Sequence, residues 1–413
     1  MYCVVIMKEQ EFEDMPLQQK NKSSTAAIVD YQKQFGIDKN ELIRRAYAGK
    51  LPPGVQVDIF RNADQLFPTR IISRGSSSNT LPPSKQQMEN FSFYANGNHY
   101  DLYDYISRNR VAGLMVLKDN KLVLEHYELG NNAQTRWMSM SMAKSISTTM
   151  VGIAIKQGYI NSIDDALTTY LPELQGGTYG DVTIKQLLQM TSGAQWNEDH
   201  TNPHSERRDV LELQIGQQPG SILRYMSQLP KVTEPGSHWN YSTGETQVVG
   251  SLLYAATGKY LADYLSETLW SKLGMESDAY WWLESPQGLE VAGSGISATL
   301  RDYARFGLFI MNNGVHNGEQ LLPDNWVKEA TSPSNSNSGL IPYGYMWWLV
   351  PNTNGKFTDA AFSARGIFGQ RIYINQSKNT VIVVWSARSK PMGSENIIDN
   401  DFFNAVVDTL ASD

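Results

Sequence analysis

Trp137-Met-Ser-Met-Ser-Met-Ala-Lys-Ser145 opens an apolar helical run and carries a Ser-x-x-Lys pair, Ser141 and Lys144. Positions three apart on a helix share a face, so hydroxyl and amine are expected side by side. A serine hydroxyl is a weak nucleophile at neutral pH until something takes its proton. A lysine whose pKa is depressed by burial can be that base. The pair therefore points to acyl transfer. Chance alone supplies about one Ser-x-x-Lys in a chain of this composition, and Ser139 or Ser141 would also serve as an ordinary helix N-cap. An N-cap leaves Lys144 unexplained. Ile146 to Ile155 is apolar or small on nearly every side, as in a buried helix. A cation in its first turn faces the positive end of the macrodipole and the cost of desolvation, which suits a catalytic lysine better than a structural one.

The chain has 413 residues, 41% of them hydrophobic, enough for a substantial core and two subdomains. A formal charge of −7 argues against nucleic acid or an anionic membrane as partner. No apolar run approaches the ~18 residues that span a bilayer. The single cysteine, Cys3, excludes an intrachain disulfide. Tyr2 to Met7 is apolar but lacks a basic leader, and Glu9, Glu11, Glu13 and Asp14 follow at once. A cytoplasmic protein is expected, with the periplasm as the alternative if the start is misassigned. There are six histidines and no His-Glu-x-x-His or Cys-x-x-Cys. His200 and His204 are separated by Pro203, which spoils a simple helical metal site. With no P-loop or dinucleotide fingerprint either, neither metal nor cofactor is expected.

The first 30 residues read as a mobile tail, and 31–100 as an extension wrapped on the main domain. Lys39 to Ala48 is helical in pattern. Leu114 to Tyr127 reads as a hairpin turning at Asp119-Asn120. From Ser141 to about Phe309 the signals are mostly helical. Strand signals return at Gly369–Ile374 and Thr380–Trp385, and a helix spans about Ile397 to Leu410. This gives a mixed α/β chain of the α+β type. Residues 101–145 and 300–413 would form an antiparallel sheet flanked by helices, with 146–299 inserted as an all-helical subdomain.

Seven segments, in order, are similar to landmarks of the serine β-lactamase and penicillin-recognising superfamily: Trp137–Lys144, Leu187–Gly193, Pro235–Gly250, Leu273–Tyr280, Ser294–Gly307, Tyr343–Trp348 and Ala364–Gln370. The likeness covers roughly residues 100 to 413. It is strongest to the class C-like carboxylesterases and 6-aminohexanoate-dimer hydrolases, and it implies the β-lactamase/transpeptidase fold. By this resemblance Ser141 is the acylated nucleophile, Lys144 its base, and Tyr241 the tyrosine of a Tyr-x-Asn motif that shuttles the proton. Lysine and tyrosine have similar reference pKa values, so the proton would be shared over the pair. A buried tyrosine with a bonded hydroxyl is the structural alternative for Tyr241. The resemblance also implies an oxyanion hole from the backbone N–H groups of Ser141 and Ile367. Gly366 would let substrate lie close against the strand edge, or mark a plain bulge.

Three departures bear on substrate. Thr243 stands where the motif has asparagine, and Ala364 where it has a lysine that attracts the β-lactam carboxylate. Arg365 is adjacent, but successive strand residues point to opposite faces, so it is not expected to substitute. These changes disfavour an efficient β-lactamase or D-alanyl-D-alanine peptidase. In the loop Trp196–Ser205, His200 stands where the nylon-oligomer branch commonly has a tyrosine that closes over an amide. It is expected either to bond substrate and titrate near neutrality, or to be simply solvated. Trp196, Trp239, Trp281, Trp282, Trp347 and Trp348 could wall an apolar cleft, with about two touching substrate. The expected function is hydrolysis of small linear amides or carboxylic esters through an acyl-enzyme. A β-lactamase-like or peptidoglycan amidohydrolase is the alternative within enzymes. A catalytically idle binding member of the fold is the alternative outside them. Oligomeric state is open.

Overall fold

The computed structural model describes residues 25–88, 91–337 and 339–411, so most of the expected tail, residues 1–24, lies outside the described residues. Three helices come first, α1 (Ala26–Phe35), α2 (Lys39–Tyr47) and α3 (Pro53–Arg61), then strand β1 (Thr69–Ile72). Residues 26–30, expected in the tail, are helical because Ala27 and Ile28 pack on the core. Strands β2 (Val111–Lys118), β3 (Lys121–Tyr127) and β4 (Arg136–Met138) lead to helix α4 (Met142–Lys156). Further on come α5 (Thr243–Thr257), β5 (Ala279–Trp282), β6 (Ile296–Thr299) and α6 (Leu300–Met311). The chain closes with β7 (Trp348–Leu349), β8 (Ala361–Gly366), β9 (Gln370–Asn375), β10 (Thr380–Ser386) and α7 (Asp399–Ala411).

The main sheet has strand order β7-β8-β9-β10-β2-β3 with every neighbouring pair antiparallel. The hairpin β2–β3 turns at Asp119 and Asn120, whose φ angles of 50° and 63° suit a tight primed turn. Along β10, Val381, Val383 and Trp385 enter the core shared with the helices, whereas Ile382 and Val384 enter a second core under α7. A sheet covered on both faces reads as a continuous apolar run, as Thr380–Trp385 does. Each such valine or isoleucine contributes roughly 1.5–3 kcal/mol of burial. On the α6 face, a Cβ on Gly307 would lie 2.7 Å from Val381, so helix and sheet meet in direct contact. On the other, Tyr105 stacks on Phe402 with ring centroids 3.6 Å apart.

A smaller antiparallel sheet, in order β1-β5-β6-β4, corrects the expectation of an all-helical stretch from 146 to 299. Its strands β4, β5 and β6 are four residues or shorter and mostly buried without alternation, so they leave no period-two signal. β1 belongs to the extension and pairs with β5. The Phe60 ring lies edge-on to Trp137 at 5.6 Å, and Trp282 Nε1 donates to the Ala63 carbonyl at 2.6 Å. The extension thus braces the strand that enters the Ser-x-x-Lys helix.

Candidate active site

Ser141 sits at the N-terminus of α4, but its hydroxyl caps no backbone N–H. Its oxygen lies 2.8 Å from Lys144 Nζ instead, which removes the N-cap alternative. The preceding residue, Met140, has φ 47°, a left-handed conformation that costs a non-glycine residue about 1 kcal/mol or more. Neighbouring structure holds it there. Ser139 N–H donates to the Ile296 carbonyl at 2.7 Å, and Ile296 N–H donates back to Ser139 Oγ at 3.1 Å. Gly366 closes the other side. A Cβ there would lie 2.6 Å from the Ser139 carbonyl oxygen and 2.8 Å from Met140 Cβ. The sequence reading reserved this close approach for substrate. In the structure the segment that carries Ser141 fills it, and Gly366 still lines the cleft.

Lys144 is buried and has three partners: Ser141 Oγ at 2.8 Å, Thr243 Oγ1 at 2.9 Å and the Gly293 carbonyl at 3.1 Å. Burial lowers its pKa to about 7, against the pull of the Glu198 carboxylate and with the push of Arg207. Tyr241 lies beside Ser141 on the cleft wall, and its ring centroid lies 5.2 Å from Lys144 Nζ. Burial, then Glu198, raises the phenol well above its ordinary value. The amine is thus pushed down and the phenol up, which sets the two groups apart in pKa where the sequence leads one to expect a proton shared over the pair.

These groups open onto a cleft of about 890 Å³ lined in part by Ser141, Tyr241, His200, Trp239, Trp348 and Ile367. Trp281, Trp282 and Trp347 are core residues, so two of the six tryptophans reach the cleft wall. Trp196 and Thr243, expected to touch substrate, lie behind the wall. Both are buried and hydrogen-bonded to Glu198. His200 is buried on the wall rather than solvated, with Nδ1 lacking a partner. Burial, partly offset by Glu198, lowers its pKa to about 4, so it is neutral where the sequence reading had it titrating near neutrality. Arg365 also corrects an expectation. Ala364 turns into the core, so alternation sends Arg365 to the cleft, 5.4 Å above the Trp348 ring. Its Nε donates to Ser363 Oγ at 2.8 Å. Glu198 is the residue that sequence reasoning missed, and Arg365 is one that it set aside. Glu198 stands two before His200, and what separates it from the chain's other acids is its bonding to Thr243 and Trp196. Among the described residues no cluster of three or more His, Cys, Asp or Glu could hold a metal.

An antiparallel sheet flanked by helices, with a Ser-Lys pair at a helix start facing a tyrosine, defines a serine hydrolase of the β-lactamase/transpeptidase fold. The chain matches the Beta-lactamase family over residues 105–400, and it belongs to that family. It is 28% identical over 306 residues to the 6-aminohexanoate-dimer hydrolase of Paenarthrobacter ureafaciens, spanning 70% of this chain and 76% of that one. A Bacillus anthracis structure provisionally named a 6-aminohexanoate-dimer hydrolase superposes with a TM-score of 0.75 at 25% identity, over 86% of this chain and 93% of the other. A class C β-lactamase mutant superposes at 0.54 and 17% identity, over 75% and 95%, and shares the fold.

Proposed function

We propose that this protein cleaves small linear amides or carboxylic esters through an acyl-enzyme, as a hydrolase of the 6-aminohexanoate-dimer or carboxylesterase type. The observation that carries this reading is the 2.8 Å approach of Lys144 Nζ to Ser141 Oγ on the cleft wall. Neutral Lys144 takes the serine proton as Oγ attacks the substrate carbonyl carbon, giving a tetrahedral oxyanion and an ammonium. The backbone N–H groups of Ser141 and Ile367 hold the oxyanion. Tyr241 gives its proton to the departing alcohol or amine and is reprotonated from Lys144. Water, deprotonated by the same pair, then attacks the acyl carbon and releases the acid and Ser141. Gly366 and His200 border the substrate, and Trp239 and Trp348 offer it apolar faces. The amide side of the reading is supported by the likeness to the Paenarthrobacter enzyme.

The test is a panel of p-nitrophenyl esters, 6-aminohexanoate dimer and a chromogenic cephalosporin, with Ser141→Ala beside the native protein. Ester or dimer turnover that disappears in the variant, with a covalent mass gain from a serine-reactive phosphonate only in the native protein, is the expected result. No turnover and no mass gain would overturn it, and dominant cephalosporin turnover would replace it with the β-lactamase alternative.

A further inference from the structure

Glu198 is tied to the Ser-Lys machinery through Thr243. Its Oε2 accepts from Thr243 N–H at 2.9 Å and from Trp196 Nε1 at 2.6 Å. Its Oε1 accepts from the Thr243 hydroxyl in a short bond and lies 3.6 Å from His200 Nε2. Thr243 Oγ1 in turn meets Lys144 Nζ, and Lys144 meets Ser141. A continuous chain of hydrogen bonds therefore runs from Glu198 through Thr243 and Lys144 to the nucleophile.

The direction of every bond in this chain follows from the groups at its ends. An ionised carboxylate only accepts, so the Thr243 hydroxyl must donate to Glu198. Thr243 then has only lone pairs to offer Lys144, and Lys144 must donate to it. The Gly293 carbonyl is likewise acceptor only, and takes a second N–H from Lys144. A neutral amine has two N–H bonds and one lone pair. With both bonds committed, the lone pair faces Ser141. We infer that Glu198 is a positioning residue, which fixes the Thr243 hydroxyl so that the Lys144 lone pair is aimed at Ser141 Oγ. This inference rests on the assignment of Ser141 and Lys144 as nucleophile and base, and adds the group that orients them.

Replacing Glu198 by glutamine should invert the chain without changing its shape. Two N–H donors converge on the Oε2 position, so the amide oxygen takes that place and the NH2 turns to Thr243. Thr243 then accepts from this amide and donates to the Lys144 lone pair, diverting it from Ser141. The charged and titratable groups around Lys144 are Glu198, Arg207, His200 and Tyr241. Losing the one carboxylate among them disfavours the ammonium, so the acid limb of the pH profile moves down.

The experiment compares kcat/KM against pH for the native protein, Glu198→Gln, Thr243→Val, Thr243→Ser and the double variant Glu198→Gln/Thr243→Val, on whichever panel ester is turned over. Expected are a roughly 10- to 100-fold loss in Glu198→Gln, the scale of misdirected general-base catalysis, and an acid inflection lower by about one pH unit. Thr243→Ser should recover most of the rate lost in Thr243→Val because it keeps the hydroxyl. The double variant should be no slower than Thr243→Val, because without the hydroxyl the residue at 198 has nothing to orient. A native rate and inflection in Glu198→Gln, or losses that add in the double variant, would overturn the inference while leaving the nucleophile assignment intact. Turnover surviving in Ser141→Ala would overturn the assignment itself. Should Glu198→Gln not fold, Thr243→Val against Thr243→Ser decides alone: equal rates reject the relay.

Discussion

The Lys144 amine stands 2.8 Å from the Ser141 hydroxyl, and burial lowers its pKa to about 7. The base form is neutral, so kcat/KM should rise with pH through an inflection near 7 and level off above it. Lys144→Met should abolish that rise along with nearly all turnover. The same residue costs stability at neutral pH. Its folded pKa lies below its unfolded value, so the unfolded chain binds the extra proton between about pH 7 and 10, and this contribution to stability grows with pH there. Lys144→Met, inactive, should therefore be more stable at pH 7 by about 2 kcal/mol, read as a higher urea midpoint. A less stable variant would contradict the desolvation account.

His200 offers a competing source for any inflection near neutrality, and its burial argues against it. Burial lowers the imidazole to about 4 in spite of Glu198 alongside. His200→Asn should keep the inflection near 7, and the imidazole carbon-bound proton signals should stay constant by NMR from pH 8 to 5. An imidazole transition near 6.5 would show that the loop is open in solution.

Gly366 packs where a methyl group has no room. A Cβ would meet the Ser139 carbonyl oxygen at 2.6 Å, Met140 Cβ at 2.8 Å and Gln370 Cβ at 2.9 Å. Two of these belong to the segment that carries Ser141. Gly366→Ala should cost roughly 1–3 kcal/mol in stability by overpacking. It should also lower kcat by about 100-fold, since Ile367 and Ser141 shift apart and one oxyanion donor is effectively lost. Thermal melting beside steady-state kinetics separates the two effects. A stable variant with native kcat would place the oxyanion donors elsewhere.

Arg365 is a half-buried cation with no carboxylate bonded to it among the described residues. Burial, then the nearby Arg371, lowers its pKa to about 10, so it remains charged at pH 7. The groups it touches directly are neutral, Ser363 and the Trp348 ring, while Arg371, Asp399 and Glu395 act on it from further off. Esters or amides bearing a free carboxylate should gain from it. Arg365→Leu should raise KM for such substrates about 10-fold, with little change for neutral esters, and the native preference should weaken with added salt. Equal effects on acidic and neutral substrates would mean that Arg365 only shapes the wall.

The contrast between residues that were readable and residues that were not has a physical cause. The Ser141–Lys144 pair, the β2–β3 hairpin and α6 leave local signals: a spacing, a turn dipeptide, a helical period closed by its cap. The smaller sheet leaves none, because β4, β5 and β6 are short and mostly buried without alternation. Glu198 and Arg365 could not be picked out from local sequence, since what marks them is an environment built by distant segments. Thr243 supplies it for Glu198, and Trp348, on the neighbouring strand, supplies it for Arg365. Thr243 was noticed as a departure from a motif. Its consequence, a hydroxyl on Lys144 in place of an amide facing substrate, needed the geometry.

Beneath the cleft, Asp399 at the start of α7 joins two arginines that line it, Arg371 and Arg388. Arg371 Nε lies 2.9 Å from its Oδ2, Arg388 Nη2 donates to Oδ1 in a short bond, and Tyr105 OH donates to Oδ1 at 2.9 Å. Burial would raise the carboxyl pKa, but Arg371 and Arg388 outweigh it and hold the group below its ordinary value. A depressed folded pKa contributes stability above the unfolded value near 3.9, and that contribution is lost as pH falls toward the folded one. Asp399→Asn keeps the shape and removes the charge, leaving Arg371 without its ion-pair partner and Arg388 with Glu395 alone. The cost should be about 3 kcal/mol at pH 7, the scale of breaking a buried pair from one side. The native protein should lose stability between pH 5 and 3 more steeply than the variant, because the variant has no carboxylate there to protonate. Urea midpoints measured across that range decide it, and parallel pH dependences would mean that Asp399 is not what ties α7 to the floor of the cleft.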